Sequence, residues 1–343
     1  MKKILLFLFV TLPMVLQAQR FNFKDYLVLG VDAAEDLTST YLEPINEGIM
    51  YGITGGWNNT ARVKQPWQLD VALVANGTFV PNEKLSWTIN IAQIDNLEVL
   101  ARGSENIIRV PTILGSTDSN ITFVATINGE EFQFDAPTGI GLFSANWLPT
   151  AMLQAGVGLP GNSEFNFRYF PKLNIDDASV GVIGFGLKHE ISESIKPLRK
   201  LPLAIAFFAA FTRLDANYDF ESDGFITGQS QRVDGNMNTG LFELLASTKF
   251  PKWNVYGGVG YVTGRSTYAL KGVYSIQLQD QMLNFTDPFR VQNDITGIRA
   301  NIGALVHINR FSVNLDYTFQ GYNNFSLGFN YTILKGKVPP AQN

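Results

Sequence analysis

From about residue 163 onward the chain alternates apolar and polar positions with a period of two. Phe165, Phe167 and Tyr169 interleave with Glu164, Asn166 and Arg168. Phe311, Val313, Leu315, Tyr317 and Phe319 interleave with Ser312, Asn314, Asp316, Thr318 and Gln320. Ile298, Ala300, Ile302, Ala304, Val306 and Ile308 form a third apolar row, opposite Arg299, Asn301 and His307. Phe325, Leu327, Phe329, Tyr331 and Ile333 form a fourth, opposite Ser326, Asn330 and Thr332. Successive side chains of a strand point to opposite faces, so each segment predicts a strand with one apolar and one polar side.

Alternation fits a soluble sandwich as well as a barrel in lipid, and length separates the two. Sandwich strands usually run about 5 to 6 residues, whereas the alternating stretches 178–190, 201–218, 253–270 and 296–309 are all longer. Connections also alternate tight and long, as outer-membrane barrels require. With the C-terminus placed in the periplasm, the tight turns at Asn309–Arg310, Pro251–Lys252 and Pro160–Asn162 fall inside, and the segments 272–287 and 219–237 read as long outer loops. A short outer turn at 321–323 and a longer inner segment at 191–200 depart from that rule. Nine spanning strands fit between Thr150 and Ile333, two more at 67–76 and 85–94, and topology asks for at least one between Ile94 and Thr150. The expectation is an all-β fold, a transmembrane antiparallel barrel of 12 to 14 strands. Fourteen requires both arms of the Asn128-Gly129 hairpin to span, and that hairpin, 121–136, reads equally as part of a long outer loop. Closure leaves no unpaired edge, which is what lets a sheet sit in lipid.

The start of the chain has another pattern. Lys2 and Lys3 precede an apolar run from Ile4 to Leu16 and then Ala18, the order of a secretory signal over residues 1–18. Between 19 and 63 the period becomes helical. Asp32 with Glu35 predicts a capping box for a helix to about Leu42, and Pro44 opens a second helix. That second helix carries Ile45, Ile49 and Ile53 on one stripe and Gly48 and Gly52 four apart, until Gly55 and Gly56 stop it. Such glycines let a helix approach another surface closely. The segment reads either as a plug folded into the lumen or as a plain periplasmic helix or flexible leader. Residues 64–333 form the barrel and 334–343 a periplasmic tail.

Composition narrows the chemistry. Lys and Arg number 26 against 30 Asp and Glu, a formal charge of −4, and nucleic-acid binding, which starts from a basic stripe, is set aside. The absence of cysteine excludes disulfides, iron–sulfur clusters and thiol nucleophiles, and two isolated histidines, His189 and His307, do not make a zinc site. No cofactor is expected. Charged residues make up 16% of the chain, against roughly 25% in soluble domains.

With apolar rows turned to lipid, the inward rows hold Arg168, Glu243, Lys249, Arg299, His307 and Asp316, with Tyr256, Leu241, Leu245 and Val262 among them. A lumen this mixed suits an amphipathic plug or an apolar ligand better than rapid ion flow. The ligand path is accordingly assigned to Arg168, Glu243, Tyr256, Arg299, His307 and Asp316. Pairing Ile308 with Phe311 and Gln320 with Asn324 sets Asp316 between Gly303 and Gly328, which is either a notch for a ligand group or relief of crowding where the wall curves. It also sets His307 opposite Ser312, the one arrangement that would suit a barrel hydrolase. No nucleophile-elbow motif surrounds it, and the chain is not expected to be an enzyme.

Three stretches carry a resemblance: Gly55-Gly56-Trp57-Asn58-Asn59-Thr60-Ala61, Leu153-Gln154-Ala155-Gly156-Val157-Gly158-Leu159-Pro160, and Phe167-Arg168-Tyr169-Phe170-Pro171. In these the chain resembles an uncharacterised family of Bacteroidetes outer-membrane proteins. More distantly, a helical segment ahead of a wide barrel is similar to the FadL-type channels for hydrophobic compounds. Glu43-Pro44-Ile45 stands where those channels carry Asn-Pro-Ala, and the chain runs ten residues past Ile333, where they end near an aromatic residue. The mixed lumen and the helix ahead of it, together with this distant resemblance, lead to the expectation of a plugged passive channel for small hydrophobic or amphipathic molecules in the bacterial outer membrane. The alternative is a non-transporting scaffold or adhesin acting through its outer loops. Expected partners are outer-membrane lipids, a small apolar or amphipathic ligand, and the barrel-assembly machinery during biogenesis.

Overall fold

The computed structural model describes residues 23–100, 106–127, 129–139, 146–175, 177–219, 226–278 and 281–336. The expected signal peptide and most of the expected tail lie outside them. A 3₁₀ segment (Phe23–Leu29) leads into one long helix, α1 (Val31–Ile53). Strand β1 (Leu69–Phe79) follows, and then an insertion of five short strands: β2 (Ser86–Asn90), β3 (Leu97–Val99), β4 (Ile107–Pro111), β5 (Thr122–Ile127) and β6 (Glu130–Asp135). The chain returns as β7 (Trp147–Leu159), β8 (Ser163–Ile175), β9 (Ala178–Glu190), β10 (Leu203–Asp219), β11 (Ile226–Thr248), β12 (Trp253–Leu278), β13 (Gln281–Thr286), β14 (Arg290–Ile308), β15 (Phe311–Phe319) and β16 (Asn324–Leu334).

Ten of these strands, β1, β7 to β12 and β14 to β16, close an antiparallel barrel. β16 returns to pair with β1, and β13 pairs only with the far end of β12. The expected 12 to 14 strands are therefore corrected to ten. The excess came from the segment between β1 and β7, which are direct neighbours along their whole length from Leu69↔Val157 to Phe79↔Trp147. Strands β2 to β6 pair among themselves in a two-stranded and a three-stranded sheet. At three to six residues each they fall short of the roughly 9 to 11 a tilted spanning strand needs. They build a cap at one end of the barrel, around Ile89, Leu97, Ile108, Val110, Phe123 and Phe134 together with Tyr26, Leu27 and Leu37. The two long outer loops are corrected as well. β10 extends to Asp219, β11 begins at Ile226, and β12 and β13 pair from Val273↔Thr286 to Leu278↔Gln281. The described residues of these segments are strands rising past the barrel wall, and 220–225 and 279–280 lie outside the described residues.

The wall has the expected faces. On β10, Leu203, Phe207 (56% exposed) and Phe211 point out, while Ala204, Ala206, Phe208 and Thr212 are buried inside. On β14, Ile298 (81% exposed), Ile302 and Val306 face out. The outward apolar row of β14 ends at Asp294 on the cap side, where Arg265 of β12 pairs with it at 2.8 Å. Arg213 and Asp215 mark the same level on β10 at 2.7 Å.

Register departs from expectation on one side of β15. Gly303 opposes Asp316 as expected, but β16 is shifted by two residues, so Asp316 meets Ser326 and Gly328 meets Asn314. The cause is a wider turn. Asn323 Oδ1 accepts the Gln320 N–H at 3.2 Å, and the turn carries Tyr322 inward to stack on Tyr51 of α1, 5.5 Å apart. A two-residue slip preserves the faces.

Helix α1 replaces the expected pair of helices, and Pro44 lies in its interior. An interior proline costs about 3 kcal/mol, and burial of Ala34, Leu37, Tyr41, Leu42, Met50 and Ile53 offsets it. The capping box does not form. Gly30, at φ +94°, is the N-cap and no side chain caps the helix, so Asp32 only places negative charge in the first turn.

Candidate functional site

α1 fills the lumen. It touches β1 and β7 on one side and β11, β12 and β14 on the other. Met50, Tyr51 and Ile53 belong to one buried cluster with Leu148, Met152, Val182, Phe208, Met237, Leu241, Leu245 and Val262 of the wall. The glycines set how close it sits. A Cβ on Gly48 would overlap the Leu148 side chain, one on Gly52 would meet Thr78 Oγ1 at 2.8 Å, and one on Gly55 would overlap Asn324. These glycines press against the β7–β1–β16 wall, and the stripe Ile45, Ile49 and Ile53 packs with the apolar cluster.

The last turn of α1 leaves carbonyls without helical partners and carries the negative end of the helix dipole. Two buried arginines from different parts of the wall meet it. Arg168 of β8 donates from Nη1 to Ile53 O at 3.1 Å and from Nε to Gln154 Oε1 at 2.7 Å. Arg299 of β14 donates from Nη1 to Thr54 O at 3.1 Å and to Thr54 Oγ1 at 3.2 Å. It also forms an ion pair with Glu243 of β11 at 3.2 Å, too bent to be a hydrogen bond. Glu243 accepts from Asn58 Nδ2 at 3.1 Å. Arg168 lies over the Trp57 ring, 3.9 Å from its centroid, and Trp57 occupies a berth that a Cβ on Gly184 or Gly186 would crowd, at 3.2 Å from the ring in each case.

Below this layer a strap, residues 54–66, runs on toward the tight-turn end. Glu164 receives the Lys64 ammonium at 2.6 Å and that of Lys188 at 3.2 Å. Lys188 also donates to Thr60 O at 3.2 Å, and Glu190 accepts from the Val63 N–H at 3.0 Å. The cleft left among Trp57, Lys64, Gln154, Glu164, Lys188 and Asn330 is about 20 Å³, room for about one water.

The structure thus brings Arg168, Glu243 and Arg299 together around the end of α1, with Tyr256 and Asp316 beside them on the wall. Gly303 opens the notch at Asp316, and the Tyr256 ring fills it, donating its hydroxyl to Asp316 Oδ2 at 3.0 Å. His307 stands apart, exposed at the tight-turn rim. It is in register with Ser312, and the two side chains are not hydrogen-bonded to each other. At the same end Ser163 Oγ lies 3.0 Å from His189 Nδ1. Sequence reasoning left Trp57, Lys64, Lys188 and Glu190 unassigned. Glycines Gly184 and Gly186 on the inward row of β9 were the available signal, because missing side chains on a wall mark where a bulky one from elsewhere must fit.

On the cap side, Lys84 reaches α1, pairing with Glu43 at 2.5 Å and Glu47 at 3.0 Å. Burial alone would lower the Lys84 pKa, but hydrogen bonds to the two carboxylates outweigh it and the value is raised. Among the described residues no group of three or more acidic or imidazole side chains is placed to hold a metal.

A family profile matches residues 1–333, from ahead of α1 into the last barrel strand. The chain belongs to that family, a family of unknown function (DUF6588). No curated protein matches the sequence. Among solved structures it is similar to Ail, the attachment invasion locus protein of Yersinia pestis, at 9% identity over 78% of this chain and 99% of that one, with a TM-score of 0.25. The translocator domain of autotransporter NalP from Neisseria meningitidis matches at 14% identity over 87% and 98%, TM-score 0.26. A Pseudomonas aeruginosa FadL homologue matches at 9% over 78% and 91%, TM-score 0.22.

Proposed function

We propose that this protein spans the bacterial outer membrane as a ten-stranded barrel and works as a passive channel for small hydrophobic or amphipathic molecules, closed by its own helix. The outward apolar row of β14 supports the membrane reading. Ile298 to Ile308 spans ten residue steps, about 33 Å along the strand, and a tilt of roughly 40° brings that to about 25 Å, the height of the apolar band of such barrels. Aromatic pairs mark its edges: Phe250–Trp253 and Phe311–Tyr331 at the tight-turn end, Tyr317–Phe319 and Phe79–Tyr317 toward the cap. No helix among the described residues is long and apolar enough to cross a membrane, and the strands carry the reading.

The observation that carries the channel reading is the apolar contact between α1 and the wall. Displacing the helix would uncover Leu148, Met152, Val182, Phe208, Leu241 and Leu245 as one continuous surface, and burying a ligand there gains about 25 cal/mol per Å² of apolar area. Polar groups at the base, Arg168, Arg299, Glu243 and Asp316, would suit the head of an amphipathic molecule. A disulfide lock tests it, since the chain has no other cysteine. A Cβ on Gly52 faces Thr78, so a Gly52→Cys/Thr78→Cys barrel in liposomes should pass a charged amphipathic dye that the bilayer itself excludes when reduced and stop when oxidised. No passage in either state would favour a non-transporting scaffold. The Lys84 clamp on Glu43 and Glu47 and the ordered cap core favour that second reading, in which the helix never leaves.

A further inference from the structure

Helix α1 has a direction through the barrel. Its N-terminal turns pack into the cap core, with Ala34 and Leu37 beside Tyr26, Leu27 and Phe134. Its C-terminal turn rests on Arg168 and Arg299, and the strap continues away from the cap until the Trp67 N–H bonds Gly158 O at 2.7 Å, at the tight-turn end. Asp32 and Arg62, both exposed, therefore stand at opposite ends of the barrel. A helix of 23 residues is about 35 Å long, more than the apolar band of about 25 Å.

Which end faces outward follows from the connections, and here the inference rests on the membrane reading proposed above. At one end the strands join through turns such as Asn309–Arg310 and Gly161–Asn162, with positive φ at Asn309, Gly161 and Asn162. At the other end stand the five-stranded insertion and the risen β11–β12–β13 sheet. Short turns belong to the periplasmic side and long connections to the outside.

We propose that the barrel presents the N-terminal end of α1 on the outer surface of the membrane, with the segment from Asp32 to Arg62 crossing through the lumen. The chain enters the lumen at the cap and leaves it in the periplasm before β1 begins. The cap core, with Tyr26, Leu27 and Val28 inside it, holds the entry point there. Pairing of β1 with β16 closes the ring around the helix.

The cysteine-free chain allows a direct test with a bulky polyethylene-glycol maleimide and four single variants at exposed positions: Asp32→Cys, Glu131→Cys in the cap, Arg62→Cys, and Arg310→Cys in a tight turn. On intact cells Asp32→Cys and Glu131→Cys should be labelled nearly completely, and the other two only after permeabilisation. Protection of Asp32→Cys on cells where Glu131→Cys is labelled would overturn the inference and leave the barrel's orientation standing. Labelling of Arg310→Cys with protection of Glu131→Cys would overturn the orientation, and the inference with it. Equal labelling of all four on intact cells would overturn the membrane reading itself.

Discussion

Replacing Arg299 by alanine should loosen the plug without opening the barrel. Arg299 is buried, donates to Thr54 O and Oγ1, and pairs with Glu243 at 3.2 Å. Removing one partner of a buried ion pair costs about 3 to 5 kcal/mol, because the remaining charge is left uncompensated. Of the four lost contacts, the fourth being a hydrogen bond to Thr318 Oγ1 at 3.4 Å, two fall on the end of α1 and a third, Glu243, also holds Asn58 of the strap, so about 3 kcal/mol should be felt as weaker docking of the helix. At 1.4 kcal/mol per tenfold that raises the undocked population about 100-fold. Hydrogen exchange in detergent reads this directly: amides of 50–53 should exchange about 100-fold faster in Arg299→Ala, while amides of β8 and β9 stay as protected as before. Adding Glu243→Gln removes the stranded carboxylate and should recover most of the loss, a coupling between neighbours that a double-mutant cycle isolates. Unchanged exchange at 50–53, or a double variant worse than the single one, would refute this account of what holds the helix.

Gly48→Leu drives a side chain into Leu148 and should displace α1, raising the leak of reconstituted barrels to small dyes; an unaltered leak would mean the helix does not obstruct the path. On the outer face, Leu315→Arg, near mid-band, should cost roughly 2 to 4 kcal/mol of barrel stability in unfolding titrations, and Thr263→Arg, beside the charged edge, about 0 to 1; equal costs would contradict the assigned membrane level. Lys84 has a raised pKa, so its clamp on Glu43 and Glu47 is fully present below the ordinary lysine value of 10.5 and is lost as pH rises through the higher folded value. Dye leak should therefore be flat through neutral pH and rise only above that value, and Lys84→Met should remove the alkaline step.

Much of the wall was legible because lipid and lumen impose a strict period of two. The outward rows at Phe165 to Tyr169 and Phe311 to Phe319, the nine strands after Thr150, and the turn at Asn309 follow from it. The insertion was misread for the same reason: 85–94 alternates like a spanning strand, and a period cannot say whether its apolar face meets lipid or a small cap core. Pro44 predicted a boundary by local chemistry, which enclosure inside the barrel overrides. The slip between β15 and β16 depends on Tyr322 reaching Tyr51, a contact between residues far apart in sequence that no local signal announces. At the site, inward parity marked Arg168, Glu243, Arg299 and Asp316, but their common partner, the end of α1, becomes visible only once the helix is seated.

The proposed channel function depends most on α1 being the obstruction in the lumen, and single-channel conductance in planar bilayers measures that most directly. Full-length protein should show little or no conductance, and a variant lacking Asp32 to Gly56 should show large, stable openings, because the charges that capped the helix then line a water-filled pore. Equal conductance from the two proteins, with the shortened barrel still folded, would contradict the claim that the helix closes the channel.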